Sequence, residues 1–373
     1  MGGGQKMKSI AILSDSLISP LGHGSKENFD AIKKGISGVS LVEDFKLSDK
    51  PFFGGNIRGI KSKNGFTRFE NLSILSIEDA LEKSQVQIDP KSTVFILATT
   101  KGNIELLDSD KMNQADLPLH TTAEKIAIYF GFGKSYVVSN ACTSGVVAII
   151  VAKRLLQTKK FSHAIVTGTD VLSRFIVSGF QSLLALSDEP CRPFDASRKG
   201  LNLGEASATI MLSNKHESNF ALLGDGSTND ANHISGPSRT GVELGEAIAT
   251  ALADSRIMNT ELDFISAHGT ATLYNDEMEA KAFTHAKINH LPVNSLKGYF
   301  GHTLGASGIL ETVMSLQSLN NNELIATKGF SQHGVSVPLN VIHQHESRSL
   351  KTFLKTASGF GGCNAALVVQ KKN

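Results

Sequence analysis

An α/β protein with helices laid over buried sheets is the fold the sequence predicts, and three observations predict it. Apolar runs of strand length alternate with helix-length segments along most of the chain. A polar stretch at 213–219 divides that alternation into two parts. Each part carries one turn of glycine and small residues leading into a long helix, at 140–145 and at 298–308.

In order, residues 10–18 read as a strand, a helix follows from about Ser25, 71–81 read as a helix, and 93–98 read as a buried strand. Residues 136–138 lead as a strand into a helix over 144–156, and 163–168 and 206–212 are further strands. After the polar stretch a new strand, 220–226, opens the second part much as 10–18 opens the first. That predicts a weak internal duplication, with halves at 1–214 and 215–373. In the second half 262–267 is a strand, 277–283 a helix, 305–319 a long helix and 366–369 the closing strand. Two small-residue helix N-termini facing one pocket would offer backbone amides to a negative charge.

Composition narrows the function classes. With 373 residues, 40% of them hydrophobic and 19% charged, the chain can build one large core or two fused ones. No apolar run reaches the length of a membrane span, and the opening residues lack the apolar segment of a secretory signal. Three widely spaced cysteines fit neither a disulfide framework nor a zinc site, so a reducing, cytoplasmic setting is expected and no metal. A net charge of +2 with signs interspersed, no Trp and only 4 Tyr give nucleic acid neither a basic field nor a stacking surface.

Four segments carry candidate chemistry. In the first, a β-run enters Asn140-Ala-Cys142-Thr-Ser-Gly145 and then a helix. A thiol at a helix N-terminus is favoured as thiolate and as a nucleophile, although a lone cysteine is as often a small buried hydrophobe. The second, Ser266-Ala-His268-Gly-Thr270-Ala-Thr272, puts a histidine and two hydroxyls at the C-terminal end of a strand, where ligand groups gather in α/β proteins. Taken singly, that histidine could equally be one satisfied by neighbouring backbone. In the third, Lys297, His302 and Glu311 surround a Gly-rich helix entry, which can also be a solvated polar turn. The fourth, Ser358-Gly-Phe360-Gly-Gly-Cys363, is a tight turn between strands whose backbone could approach a ligand and give an amide to an oxyanion. It lacks the Gly-Lys-Ser/Thr of a phosphate loop.

Taken together, in this order, the four segments resemble the β-ketoacyl-acyl-carrier-protein synthases of the Cys-His-His branch. Cys142 sits in the nucleophile motif, His268 in His-Gly-Thr-x-Thr, and Lys297 and His302 in Lys-x-x-x-Gly-His-Thr-x-Gly-Ala. Pro193-Phe-Asp-Ala-Ser-Arg198-Lys-Gly200, Asp230-Ala-Asn-His233 and Gly359-Phe360-Gly-Gly extend the resemblance over nearly the whole chain. It implies a thiolase-like fold, two similar halves in a five-layer αβαβα sandwich. It also implies a decarboxylative Claisen condensation of an acyl group on Cys142 with malonyl-carrier protein, in fatty-acid or polyene/polyketide-like synthesis.

The residue roles follow from the resemblance. Cys142 would be the nucleophile, His268 and His302 the donors to the enolate oxygen, and Lys297 an anchor that orients His302. Phe360 would supply the gate and, with Cys142, an oxyanion amide. Thr270 and Thr272 would touch the pantetheine arm, and Asp276 and Glu311 would belong to the surrounding polar network. Lys61, Lys63 and Arg68 are candidates for carrier docking. The implied partner is an acyl carrier protein whose phosphopantetheine delivers the substrates, with no further cofactor. A homodimer is expected, with a related second subunit as the alternative.

Departures from the pattern are Ser358 before the Gly-rich turn, Gly204-Glu-Ala-Ser-Ala, and a short 99–121 segment, a region that shapes acyl tunnel and dimer contact in the family. Three other functions compete. A thiolase or non-decarboxylating acyltransferase would use Cys363 as a second cysteine, and a chain-length-determining partner would need no nucleophile. A scaffold that kept the fold would not become acylated.

Overall fold

The computed structural model describes residues 9–60, 63–108, 113–231, 234 and 236–372. The first half supplies strands β1 (Ile10–Ser19), β2 (Thr93–Ala98), β3 (Lys134–Val138), β4 (His163–Asp170) and β5 (Ala206–Ser213). The second supplies β6 (Phe220–Asn229), β7 (Phe264–Ser266), β8 (Pro292–Asn294), β9 (Thr352–Ser358) and β10 (Cys363–Lys371). Spatial order in the first half is β1-β5-β4-β2-β3, and in the second β6-β10-β9-β7-β8. The pairing senses agree position by position: two antiparallel ladders followed by two parallel ones in each half. The duplication that the sequence only hints at is therefore explicit in topology. An antiparallel β1–β6 ladder joins the two sets edge to edge.

Helices α1 (Ser25–Lys33), α2 (Arg68–Ser84), α3 (Leu119–Phe130), α4 (Ser144–Gln157) and α5 (Arg174–Ser182) belong to the first half. The second adds α6 (Val242–Ser255), α7 (Leu273–His285), the single-turn α8 (Lys297–Phe300) and α9 (Ser307–Asn321). Strand periodicity sorts the side chains into layers. Along β2, Val94, Ile96 and Ala98 enter a central core with α4 and α9, whereas Phe95 and Leu97 pack outward under α2 and α3. Along β10, Leu367 and Val369 join the same central core, and Ala366 and Val368 pack under α6 and α7. The result is helix, sheet, helix, sheet, helix: the thiolase-like sandwich. Because α4 and α9 come from different halves yet fill one core, neither half buries its apolar surface alone.

Helix α2 begins three residues before the sequence suggests, at a Thr67/Glu70 capping box that satisfies both orphan amides. The two central helices touch through glycine. A Cβ on Gly145 would lie 2.8 Å from Ile309 N and 2.9 Å from Gly305 O, and one on Gly308 would lie 2.6 Å from Val146 N. Close approach brings both N-termini to one place, which is what positions the site. Gly145→Ala is expected to lower the thermal midpoint by an overpacking cost of about 1–3 kcal/mol, measurable by calorimetry. An unchanged midpoint would mean that the helices can separate without loss.

Candidate active site

Cys142 occupies the turn between β3 and α4. Ala141 before it has φ 45°, a left-handed conformation that costs a non-glycine residue about 1–3 kcal/mol and needs its surroundings to hold it. They do: Asn140 N donates to Ser144 Oγ at 2.8 Å, Thr143 Oγ1 to Asn140 O at 2.7 Å, and Ser144 Oγ to Ala141 O at 2.6 Å. Gly359 packs against this turn, since a Cβ there would be 3.0 Å from Cys142 N. The thiol itself is buried.

The helix terminus does not make that thiol a resting thiolate, contrary to the sequence-based expectation. Burial pushes Cys142 up to about 12, against the lowering pull of Lys297 and of the Phe360 backbone amide. Desolvation of the charged form outweighs a partial dipole charge.

His302 Nε2 lies 2.9 Å from Cys142 Sγ. Its Nδ1 receives the Leu304 backbone N–H at 3.3 Å and sits 3.0 Å from Ser307 Oγ. A backbone N–H can only donate, so Nδ1 is the acceptor and the proton of the neutral ring rests on Nε2, facing the sulfur. Burial, helped by Lys297 and Lys355, holds the imidazole well below its usual range and so keeps it neutral. His268 stands edge-on to His302, with centroids 5.2 Å apart and planes at 82°. Its backbone N–H and that of Gly269 both donate to the Glu279 carboxylate, at 2.7 and 2.6 Å, which fixes the strand end. Burial, then Lys297, lowers this imidazole too.

Sγ of Cys142 and one ring nitrogen of each histidine lie within 4.8 Å of one another. Among the described residues no other His/Cys/Asp/Glu group has this spacing.

Behind the trio, Lys297 pairs with Glu311, and Lys355 reaches the other Glu311 oxygen at 2.7 Å. Lys297 therefore does not orient His302 directly, as the resemblance implied; the Leu304 amide and Ser307 hydroxyl touch that ring. Asp276 accepts the Phe194 amide at 2.7 Å and the Ala271 amide at 3.2 Å, bracing two residues held at positive φ. Thr270 is buried, Thr272 half-buried, and their hydroxyls bond each other at 2.9 Å. Phe360 is 41% exposed and stacks on Phe180 of α5 at 6.1 Å, while its amide is directed at the Cys142 sulfur. Cys363 approaches the carbonyls of Asn140 at 3.5 Å and Phe360 at 3.4 Å, which fastens the glycine turn to the nucleophile turn.

Sequence reasoning missed three buried supports, Glu279, Lys355 and Asp170. Asp170 ends β4 and accepts Thr99 Oγ1 at 2.8 Å, the Thr100 amide at 3.1 Å and the Gly305 amide at 2.7 Å. Burial outweighs these donors and raises its carboxyl to about 6. A carboxyl raised in the folded state contributes stability that is full below about 3.8 and is lost as pH rises through about 6. Asp170→Asn is expected to make that slope shallower between pH 4 and 6.5 in urea unfolding, with Asp276, which burial also raises, to about 7, carrying part of the remainder. It should also cost about 1–3 kcal/mol, because an amide NH2 turned toward these donors leaves one of them unpaired. A variant with the wild-type slope would remove Asp170 as its source.

The carrier-docking candidates fare differently. Arg68, its side chain 32% exposed, donates to both oxygens of buried Glu205, at 2.7 and 2.6 Å. Lys63 bonds Glu78 at 2.5 Å and Tyr129 at 3.0 Å near the surface. Lys61 lies outside the described residues, as do Asn232 and His233 of the Asp230 motif.

Comparison with known proteins agrees along the whole length. The family model described as "Beta-ketoacyl synthase, N-terminal domain" matches residues 7–218, and "Beta-ketoacyl synthase, C-terminal domain" matches 220–331. A "3-oxoacyl-[acyl-carrier-protein] synthase 2" of Coxiella burnetii is 27% identical, covering 98% of this chain and 99% of that one. The alignment spans 409 residues against this chain's 373, so the chain is condensed relative to it. A "Putative polyketide beta-ketoacyl synthase 1" of Streptomyces halstedii is 30% identical over 97% of this chain and 98% of its own. Among solved structures, a ketosynthase (ApeO) in complex with its chain length factor (ApeC) from Xenorhabdus doucetiae superposes with TM-score 0.91. It is 25% identical and covers 100% of both chains.

Proposed function

This chain belongs to the beta-ketoacyl synthase family, a family of condensing acyltransferases, and on that premise we propose that Cys142, His268 and His302 carry its reaction. One observation supports this above the rest: the sulfur and two imidazole nitrogens meet within 4.8 Å at the junction of two helix N-termini. The reaction then runs in two halves. Cys142 Sγ attacks an acyl thioester, and the carbonyl electron pair moves to an oxygen held by the amides of Cys142 and Phe360. Collapse breaks the carrier's C–S bond, and the carrier leaves as thiol with the proton that Cys142 gave up.

A malonyl thioester follows. As its terminal C–C bond breaks and carbon dioxide departs, the electron pair reaches the thioester oxygen, where Nε2–H of His302 and an N–H of His268 receive it. The enolate carbon attacks the acyl group, and Cys142 Sγ leaves with the C–S electrons. A neutral imidazole pair suits this step, since each ring brings a donor without the repulsion of two adjacent cations.

Both thioesters would arrive on the phosphopantetheine of an acyl carrier protein, in a cytoplasmic pathway of fatty-acid or polyene/polyketide type. No helix among the described residues is long and apolar enough to cross a membrane. β3 ends the sheet with no strand on its outer side among the described residues, and Tyr136 on it is 39% exposed, which favours a second subunit there. That subunit is a copy of this chain or a chain length factor like the partner of the Xenorhabdus ketosynthase. A buried nucleophile with its donors in place speaks against this chain being itself the non-catalytic partner.

Incubation with an acyl-carrier thioester should add one acyl mass to the Cys142 peptide, and malonyl-carrier should then discharge it as β-ketoacyl product with carbon dioxide. Discharge without carbon dioxide would point to an acyltransferase, and no mass gain would end the proposal.

A further inference from the structure

The most unusual group near the site is a second buried lysine to which the reaction above gives no step. Lys355 lies in the middle of β9, where Phe353 and Leu354 before it and Thr356 and Ala357 after it are all buried, and it is itself 0% exposed. An ammonium in such a strand is costly unless fully bonded. Its Nζ donates to the carbonyls of Ser266 and Ala267 at 3.1 Å each and of Thr356 at 2.7 Å. A Glu311 oxygen stands 2.7 Å away. Ser266 and Ala267 are the two residues before His268.

We propose that Lys355 is a positioning residue for the enolate-stabilising pair: it ties the strand end that bears His268 to the Lys297–Glu311 pair on α8 and α9 and sets the positive potential around both imidazoles. This rests on the condensing role assigned above to the two histidines. Facing the imidazoles are Lys355 from β9, Lys297 from α8, Glu311 from α9, Glu279 from α7 and Cys142 from the turn before α4. Two ammonium groups thus stand against Glu311 and against Glu279, whose carboxylate is taken up by the His268 and Gly269 amides, Asn275 and Thr356. The two lysines oppose protonation of both rings, and the same positive potential favours the negative charge that develops on the enolate oxygen.

The test separates position and charge from bulk. Lys355→Met keeps the length of the chain and removes the charge. Histidine ring NMR, with resonances assigned through His268→Ala and His302→Ala, should show both imidazoles titrating higher than in wild type by roughly one pH unit or more. Malonyl-carrier decarboxylation should fall roughly tenfold, while acyl transfer to Cys142, read by intact mass, changes less than about twofold. Because lone Lys355→Met leaves Glu311 with one partner, Lys355→Met/Glu311→Gln serves as the second variant. Removing one charge of each sign should return the imidazole titration toward the wild-type position. Unchanged titrations in folded Lys355→Met, a double variant displaced as far from wild type as the single one, or equal losses in both half-reactions, would overturn the proposal. If wild type itself releases no carbon dioxide, the functional reading fails, while the titration result still decides the electrostatic one.

Discussion

Cys142→Ala should give no detectable β-ketoacyl product yet still release carbon dioxide from a malonyl thioester. The half-reactions need different groups. Acyl storage requires a sulfur, and that of Cys142 is the one 2.9 Å from His302 Nε2, whereas Cys363 Sγ is directed at the carbonyls of Asn140 and Phe360. Decarboxylation requires only donors for the enolate oxygen, and the atoms that hold His302 and His268 in place are the Leu304 amide, Ser307 and Glu279, none of which the substitution touches. Labelled carbon dioxide and product would be measured in parallel, with a His268→Ala/His302→Ala double variant as control. Normal product from Cys142→Ala would sink the nucleophile assignment. Loss of both activities in a folded protein would mean that the sulfur also shapes the malonyl site.

Most of the reacting trio was legible in the sequence because each member sits in a local motif: a small-residue turn before a helix, a histidine at a strand end, a Gly-rich helix entry. What holds the trio was not legible. Asp170 reaches Gly305 across 135 positions and Lys355 reaches Ser266 across 89, and no local pattern announces such partners. One signal was available: a lysine inside the apolar run Phe353-Leu-Lys355-Thr breaks strand patterning and marks a buried charge with a distant partner. The fold shows the same division. The duplication was visible as two strand openings and two glycine turns, whereas α3, α5 and α6, where apolar residues are mixed with Gly, Thr and Ser, were not read as helices. The resting state of Cys142 was misjudged for a related reason: a helix N-terminus can be read from sequence, but the burial that overrides it depends on packing by distant segments, the Gly359 turn among them.

The two histidines should prove unequal, although the proposed reaction directs both to the same oxygen. His268→Ala is expected to slow carbon dioxide release by about 10²–10³, the effect of one missing donor to a developing oxyanion, some 2.7–4 kcal/mol. Acylation should stay near wild type, because the imidazole bonded to the Cys142 sulfur is that of His302. His302→Ala should cost as much in decarboxylation and also slow acylation, though less, since its Nε2–H stands 2.9 Å from Cys142 Sγ and steadies the thiolate that forms on attack. Removing both should cost less than the product of the two factors, because they share one acceptor. Single-turnover acylation followed by intact mass, and carbon dioxide release followed by label, separate the steps. His302→Ala that acylates slowly but condenses at the normal rate would assign that ring to the thiol alone, and His268→Ala with full carbon dioxide release would leave the enolate with a different donor.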